Sequence, residues 1–200
     1  MEMSPRIVFA FFLVSIATFI DGKAWKETEK FQKNSHSATN VTTQISMING
    51  GQRQVDCFTS GEWVITYGEV NVTMYCDTVC SPVTGIDISM LSLTHPRSFT
   101  VGVTLNKDGR QILVKDPGNS DDCDITYDHV YLDDVTDTGY LEEFCGILSS
   151  PPRYLPREPL SQGFQDVLGC GSWTLSVTDN LVDSNTGIIT TIGLRYVMKP

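Results

Sequence analysis

The sequence predicts an all-β protein, a jelly-roll-like antiparallel β-sandwich, from three observations. Apolar and polar residues alternate in several separated runs, as they do where one face of a strand is buried. Glycine, proline and Asn/Asp clusters punctuate those runs at strand-length intervals. No segment after the N-terminal leader keeps a 3.6-residue period with helix caps.

The chain of 200 residues opens on MEMSPR, then IVFAFFLVSIATFI, then DGKAW. Arg6, an apolar core from Ile7 to Ile20 and small residues at Gly22 and Ala24 make residues 1–24 a secretory signal, cut after Ala24 or alternatively after Gly22. The apolar run falls short of the about 20 residues a spanning helix needs, and no later stretch is apolar enough to span. A Met followed directly by such a leader favours a whole product over a truncated one. Residues 25–51 are polar and poor in periodic apolar positions; they read as a flexible lead-in with at most a marginal helical turn at KETEKFQK. Residues 52–200 are expected to form one folded domain.

Within that domain, Val70, Val72 and Met74 alternate with Asn71 and Thr73, placing Asn71 on the solvent face. GIDISMLSLTH supplies a strand with Ile86, Ile88 and Met90 on one face. Phe99, Val101, Val103 and Leu105 then alternate up to NKDGR, a turn with Gly109 supplying a permissive backbone, and QILVK returns as the second arm of a hairpin. Between 146 and 165, Pro151, Pro152, Pro156 and Pro159 mark a long surface excursion, since proline has no amide hydrogen for a ladder. The chain ends on GSWTLSVTDN and GIITTIGLRYVM: Trp173, Leu175 and Val177 point one way, and Ile188, Ile192, Leu194 and Tyr196 offer a returning face across DNLVDSNTG. Read together they are a closing hairpin that belongs to the core.

Six cysteines, Cys57, Cys76, Cys80, Cys123, Cys145 and Cys170, suit three disulfides and an oxidising compartment, with the pairing open. Cys76 and Cys80 are spaced CDTVC with no nearby histidine, which fits zinc poorly. The sequons at Asn40 and Asn71 are candidate glycan acceptors in a secreted, extracellular chain. A formal net charge of −10 leaves no basic stripe for nucleic acid.

Candidate chemistry is sparse. Asp137, Thr138 and Gly139 spell D-T-G, but the partner motifs of a subtilisin-type site are absent, and an aspartic protease needs two such carboxylates. Of the imidazoles, His36 sits in the lead-in, His95 precedes Pro96 in a turn, and His129 follows Asp128, whose side chain is expected on the opposite face of a strand. The acidic stretch 116–143 holds Asp116, Asp121, Asp122, Asp124, Asp128, Asp133, Asp134, Asp137, Glu142 and Glu143, with no Lys or Arg between Lys115 and Arg153. So many carboxylates repel unless solvated or bound to a cation, and Ca²⁺ suits them, with Asp121, Asp122, Asp124, Asp133 and Asp134 as candidate ligands. A bridge between Cys123 and Cys145 would hold these acids in register and stabilise the fold by about 3 kcal/mol.

The stretch GSWTLSVTDNLVDSNTGIITTIGLRY resembles the C-terminal signature of the P domain (P/Homo B domain) of kexin- and furin-type proprotein convertases. Gly171, Trp173, Leu175, Val177, Asp179, Asp183, Gly187, Ile188 and Leu194 fall on its pattern positions. Upstream, IDISMLSLTHPRSFTVGVTLNKDGRQILV, HVYLDDV and EPLSQGFQDVLGCGSW are looser matches, so the likeness spans residues 85 to 198. The family's Gly-Asp-Leu is here Arg97, Ser98, Phe99, and its Ser-Pro-x-Gly turn is Asn106, Lys107, Asp108, Gly109. The resemblance implies a jelly-roll module that packs beside and stabilises a subtilisin-like catalytic domain, here without that domain. The expected function is a secreted, non-catalytic module that binds or stabilises a partner: a separately encoded protease, an extracellular glycoprotein or another copy. The alternatives are a partial or divergent convertase with endopeptidase activity, and a carbohydrate-binding jelly roll using aromatics such as Tyr140 and Tyr154.

Overall fold

The computed structural model describes residues 26–31, 40–77, 79–118 and 123–200. Eleven strands run in chain order: β1 (Lys26–Phe31), β2 (Asn40–Met47), β3 (Arg53–Ile65), β4 (Gly68–Asp77), β5 (Val83–His95), β6 (Val101–Lys107), β7 (Arg110–Lys115), β8 (Ile125–Leu132), β9 (Gly146–Ser149), β10 (Gly171–Asp179) and β11 (Gly187–Met198). A single helical turn, α1 (Leu160–Gly163), and three short 3₁₀ turns are the described helical elements. The strands form a seven-stranded sheet, β1-β2-β3-β11-β5-β8-β9, packed on a four-stranded sheet, β4-β10-β6-β7. Neighbours are antiparallel except β8 and β9. The fold is the all-β sandwich that the alternation predicts.

Its core is built from the inward phase of each strand. Val72 and Met74, Val101, Val103 and Leu105, and Trp173, Leu175 and Val177 on the smaller sheet meet Val55, Leu91, Leu93, Ile192, Leu194 and Tyr196 on the larger one. Trp173 is fully buried between Phe164, edge-on at 5.2 Å, and Tyr196 at 5.6 Å. Its indole N–H and the Tyr196 hydroxyl both donate to the Gly169 carbonyl, at 3.3 and 3.1 Å, so neither aromatic buries an unsatisfied donor.

Three disulfides pair Cys57 with Cys76, Cys80 with Cys170 and Cys123 with Cys145, at Cα separations of 5.4, 4.7 and 5.9 Å. The first joins β3 to β4, consecutive strands that lie in opposite sheets, and so ties the two layers together. The third is the bridge expected across the acidic stretch.

The β6–β7 hairpin forms as the sequence suggests, turning on Asp108 and Gly109, both at positive φ (49° and 80°), the geometry a tight two-residue hairpin requires. The proline-rich excursion does more than cross the surface. Between Pro156 and Pro159, Arg157 N–H and Glu158 N–H donate to the Val114 and Leu113 carbonyls, each at 2.9 Å, and the Glu158 carboxylate accepts Leu113 N–H at 2.7 Å. The segment therefore covers part of the edge of β7 that would otherwise be open to pairing.

Four expectations need correction. The stretch read as a flexible lead-in contains β2, which pairs with β3 along its length, and β1, which pairs with β2. The reason is local: Val41, Thr42, Thr43 and Ile45 are β-branched, Val41 and Ile45 pack on the core and Thr43 is buried, a signal that the surrounding polar residues mask. Second, β10 and β11 are not a hairpin. β10 takes its ladders from β4 and β6, and β11 from β3 and β5, so the two strands face each other across the core, and a bulge after Ile189 buries Ile189 and puts Ile188, expected on the inward face, on the outer one. Third, a bulge after Ile88 hands the inward phase of β5 to Leu91 and Leu93, leaving Met90 only half-buried. Fourth, Phe99 sits in a 3₁₀ turn, Ser98–Thr100, rather than in β6.

Candidate functional site

The residues of the terminal motif divide by position. Trp173, Leu175 and Val177 are the inward face of β10, and Gly171 opens that strand. Asp179, Asp183 and Gly187 lie where β10 ends and the chain crosses to β11. There His95, the last residue of β5, turns its ring inward against Asp179: Nε2 to Oδ2 is 3.4 Å, with both side chains about 1% exposed. His95 Nδ1 lies 3.1 Å from the Arg97 amide nitrogen and 3.0 Å from the Arg97 carbonyl oxygen, so the Arg97 backbone fixes the ring. The other oxygen of Asp179 accepts Leu181 N–H at 3.1 Å. A Cβ at position 187 would lie 2.5 Å from both His95 Cδ2 and the Thr94 carbonyl, so only glycine lets β11 approach this pair. Asp183 accepts Asn185 N–H at 2.7 Å and lies 3.6 Å from Arg97 Nε. The Asn185 amide, with a lesser contribution from Arg97, holds the Asp183 carboxyl below the usual range.

On the solvent side of this corner is an open cavity of about 180 Å³, lined by Thr94, His95, Pro96, Asp124, Ile125, Thr126 and Thr186. It presents hydroxyls and one carboxylate. The imidazole of His95 is buried against Asp179.

The acids proposed for Ca²⁺ do not converge among the described residues. Asp121 and Asp122 lie outside those residues. Asp124 is exposed at the cavity. Asp133 is buried, bound by Arg153 Nη1 at 2.7 Å and by Val135 N–H at 2.9 Å. Asp134 accepts Leu160 N–H and Ser161 N–H at 2.8 and 2.7 Å and so caps α1. Among the described residues no group of three or more His, Cys, Asp or Glu side chains is arranged to hold a metal. Of the acids that the sequence leaves unpaired, Asp133, Asp134 and Glu143 satisfy backbone donors.

The other sequence candidates are placed as follows. His36 lies outside the described residues. His129 and Asp128 are not on opposite faces: an extra residue on β8 opposite Ser92 sets His129 at φ 55° and brings its Nδ1 within 2.6 Å of Asp128 Oδ1. The pair stands in solvent, 59% and 62% exposed, and Ser92 Oγ beneath it is occupied as acceptor of His129 N–H at 3.1 Å. Asn71 is exposed on β4, its Oδ1 accepting from Ser176 Oγ. Asn40 begins β2. Tyr154 is buried against Phe144, whereas Tyr140 is exposed with Arg157 stacked over its ring at 5.5 Å.

Two functional groups escape the sequence reading. Lys115 is fully buried, its ammonium donating to the carbonyls of Ser98, Val101 and Asp116 at 2.9, 2.8 and 3.1 Å. Burial lowers its pKa to about 8. Lys107, also buried, donates to the Cys170 carbonyl at 2.5 Å and lies 5.6 Å from the Trp173 ring. The signal was available: Lys107 continues the inward phase of Val101, Val103 and Leu105, and Lys115 is the cross-strand partner of Val103. On the outer face of the large sheet, the Tyr131 hydroxyl donates to Asp87 at 2.8 Å while Arg153 and Arg195 flank its ring at 4.5 and 5.9 Å. Burial pushes the Tyr131 hydroxyl up to about 12 and also raises Asp87, helped there by the charges of Asp133 and Asp134.

Comparison with family models gives no match to this chain, and comparison with curated proteins gives none either.

Proposed function

We propose that this chain is a secreted β-sandwich module of the P-domain type that binds or stabilises a protein partner and performs no chemistry itself. The observation that carries the reading is what the chemistry-bearing side chains are doing. His95 is sealed against Asp179, Asp133 and Asp134 hold backbone donors, and all cysteines among the described residues are bridged. These histidine, carboxylate and cysteine side chains, types that elsewhere serve as general bases and nucleophiles, act here as mortar between strands, and the exposed His129–Asp128 pair has Ser92 Oγ beneath it occupied by a backbone N–H. The residues on which the family resemblance rests support the same reading, because Trp173, Leu175 and Val177 seal the core and Asp179, Asp183 and Gly187 shape the crossing between sheets. Three disulfides and an exposed Asn71 suit the extracellular setting.

The test is affinity capture of the mature protein from the fluid into which it is secreted, in calcium and in chelator, with a peptide-hydrolysis assay on the purified chain. The expected result is a protein partner recovered in near-stoichiometric amount, a subtilisin-like catalytic domain being the class the resemblance favours, and no hydrolysis by the chain alone. Hydrolysis by the isolated chain, or no partner in either condition, contradicts the proposal.

A further inference from the structure

The open cavity beside His95 sits at the centre of a cross-strand row. Thr94 of β5 and Thr126 of β8 are directly paired, Ile188 of β11 pairs with Thr94, Val64 of β3 pairs with Ile188, and Ile147 of β9 pairs with Thr126. Directly opposed residues project from the same face of a sheet. The outer face therefore reads Val64, Ile188, Thr94, Thr126, Ile147 across five strands. Its two ends are 50% and 81% exposed. A hydroxyl-lined notch thus lies between aliphatic shoulders, with Asp124 and Thr186 completing its wall.

The electrostatics of the notch select the ligand's charge. The Asp124 carboxylate is exposed and has no hydrogen-bond or ion-pair partner among the described residues. Behind the His95 wall of the notch lies the buried carboxylate of Asp179, 3.4 Å from the imidazole Nε2. The neighbouring cation, Arg97, is turned to Asp183 at 3.6 Å. Among the described residues the carboxylates of Asp124, Asp179 and Asp183 stand against the Arg97 guanidinium and the buried Lys115 ammonium beneath Ser98, in a chain of formal net charge −10, so the field draws cations and repels carboxylate and phosphate ligands. Calcium wants about six to eight oxygens, several of them ionised, and a single free carboxylate with hydroxyls falls short of that set. An ammonium or guanidinium, by contrast, carries only donors and needs a carboxylate and a few hydroxyl acceptors around it. The threonines and Asp124 supply that complement. Ile188 and Ile147 supply apolar surface for the stem and for the residues flanking it.

We propose that this notch receives a lysine or arginine side chain of a protein partner, clamped by Asp124 and the Thr94, Thr126 and Thr186 hydroxyls, with the partner's flanking apolar residues on Ile188 and Ile147. The proposal rests on the reading of the chain as a protein-binding module and names where on its surface the partner sits.

The test is NMR titration of the isotopically labelled mature chain with the blocked tripeptide acetyl-Gly-Lys-Gly-amide. Acetyl-Gly-norleucine-Gly-amide and a methyl glycoside are titrated in parallel. Saturable shifts centred on the amides of 94, 124, 126 and 186 are expected with the lysine peptide alone. Asp124→Asn, an exposed and conservative change, should weaken that binding by about tenfold, and Lys199→Arg, just past the far end of β11, should leave it unchanged. Equal shifts with norleucine, binding unaffected by Asp124→Asn, a response to the glycoside alone, or no saturation by roughly 10 mM would each overturn the proposal. A silent notch together with successful partner capture would sink this assignment and leave the module reading standing.

Discussion

Trp173 shows how one residue links the two layers. It comes from the smaller sheet, touches Tyr196 from the larger one, and shares the Gly169 carbonyl with it. Trp173→Ala is expected to cost about 3–5 kcal/mol, read as a fall in the denaturant midpoint with an unchanged slope. Gly187→Ala forces a methyl into the His95 ring and the Thr94 carbonyl, and should cost about 1–3 kcal/mol by the same measurement. Lys115 makes a prediction about pH. Its folded pKa of about 8 lies below the 10.5 of a solvated lysine, so between those values the unfolded chain binds more protons and stability rises with pH. Tyr127 and Tyr131 are both raised by burial above the ordinary value of 10.0, so beyond about pH 10 the unfolded chain loses protons first and stability falls. Melting temperature should therefore peak near pH 10, and Lys115→Met should flatten the rise that precedes it. A protein with Lys115 exposed would show no such rise.

At the scale of the strand, alternation reports which face is buried and is silent about which neighbour completes the backbone ladder. That is why Val101, Val103 and Leu105 are legible as core positions, while β10 and β11, equally clear as strands, read as a hairpin although they belong to different sheets. Bulges defeat the same logic locally: one extra residue opposite Ser92 turns His129 onto the side of Asp128. The acids are legible as a concentration of charge, yet nothing in their spacing reveals that Asp134 caps a helical turn formed within the proline-rich excursion. β2 was missed because its apolar positions are few, yet they pack on the core. Removing residues 25–51 should accordingly lower the melting temperature by at least about 5 °C, since Val41 and Ile45 lose their packing and β3 loses a neighbour. An unchanged melt would return the segment to the status of a linker.

Across the described strands, consecutive ones repeatedly switch layers: β3 to β4, β4 to β5, β5 to β6, β7 to β8, β9 to β10 and β10 to β11 each cross from one sheet to the other. Such crossings give a core sealed by both sheets, and they explain where the polar side chains are spent. Cys57–Cys76 fixes the first crossing and the His95–Asp179 pair with Gly187 fixes the last. His95, Asp179 and the Cys57–Cys76 bridge hold the layers together, and the outer face of the large sheet with its Asp124 notch is the surface we propose for a partner. The arrangement of β10 and β11 decides this account, and cross-strand nuclear Overhauser effects between backbone protons read it directly. Contacts of Leu175 with Leu105 and Val72, and of Leu194 with Cys57 and Ile88, are the expected result. A ladder running directly between residues 173–179 and 188–194 would contradict it.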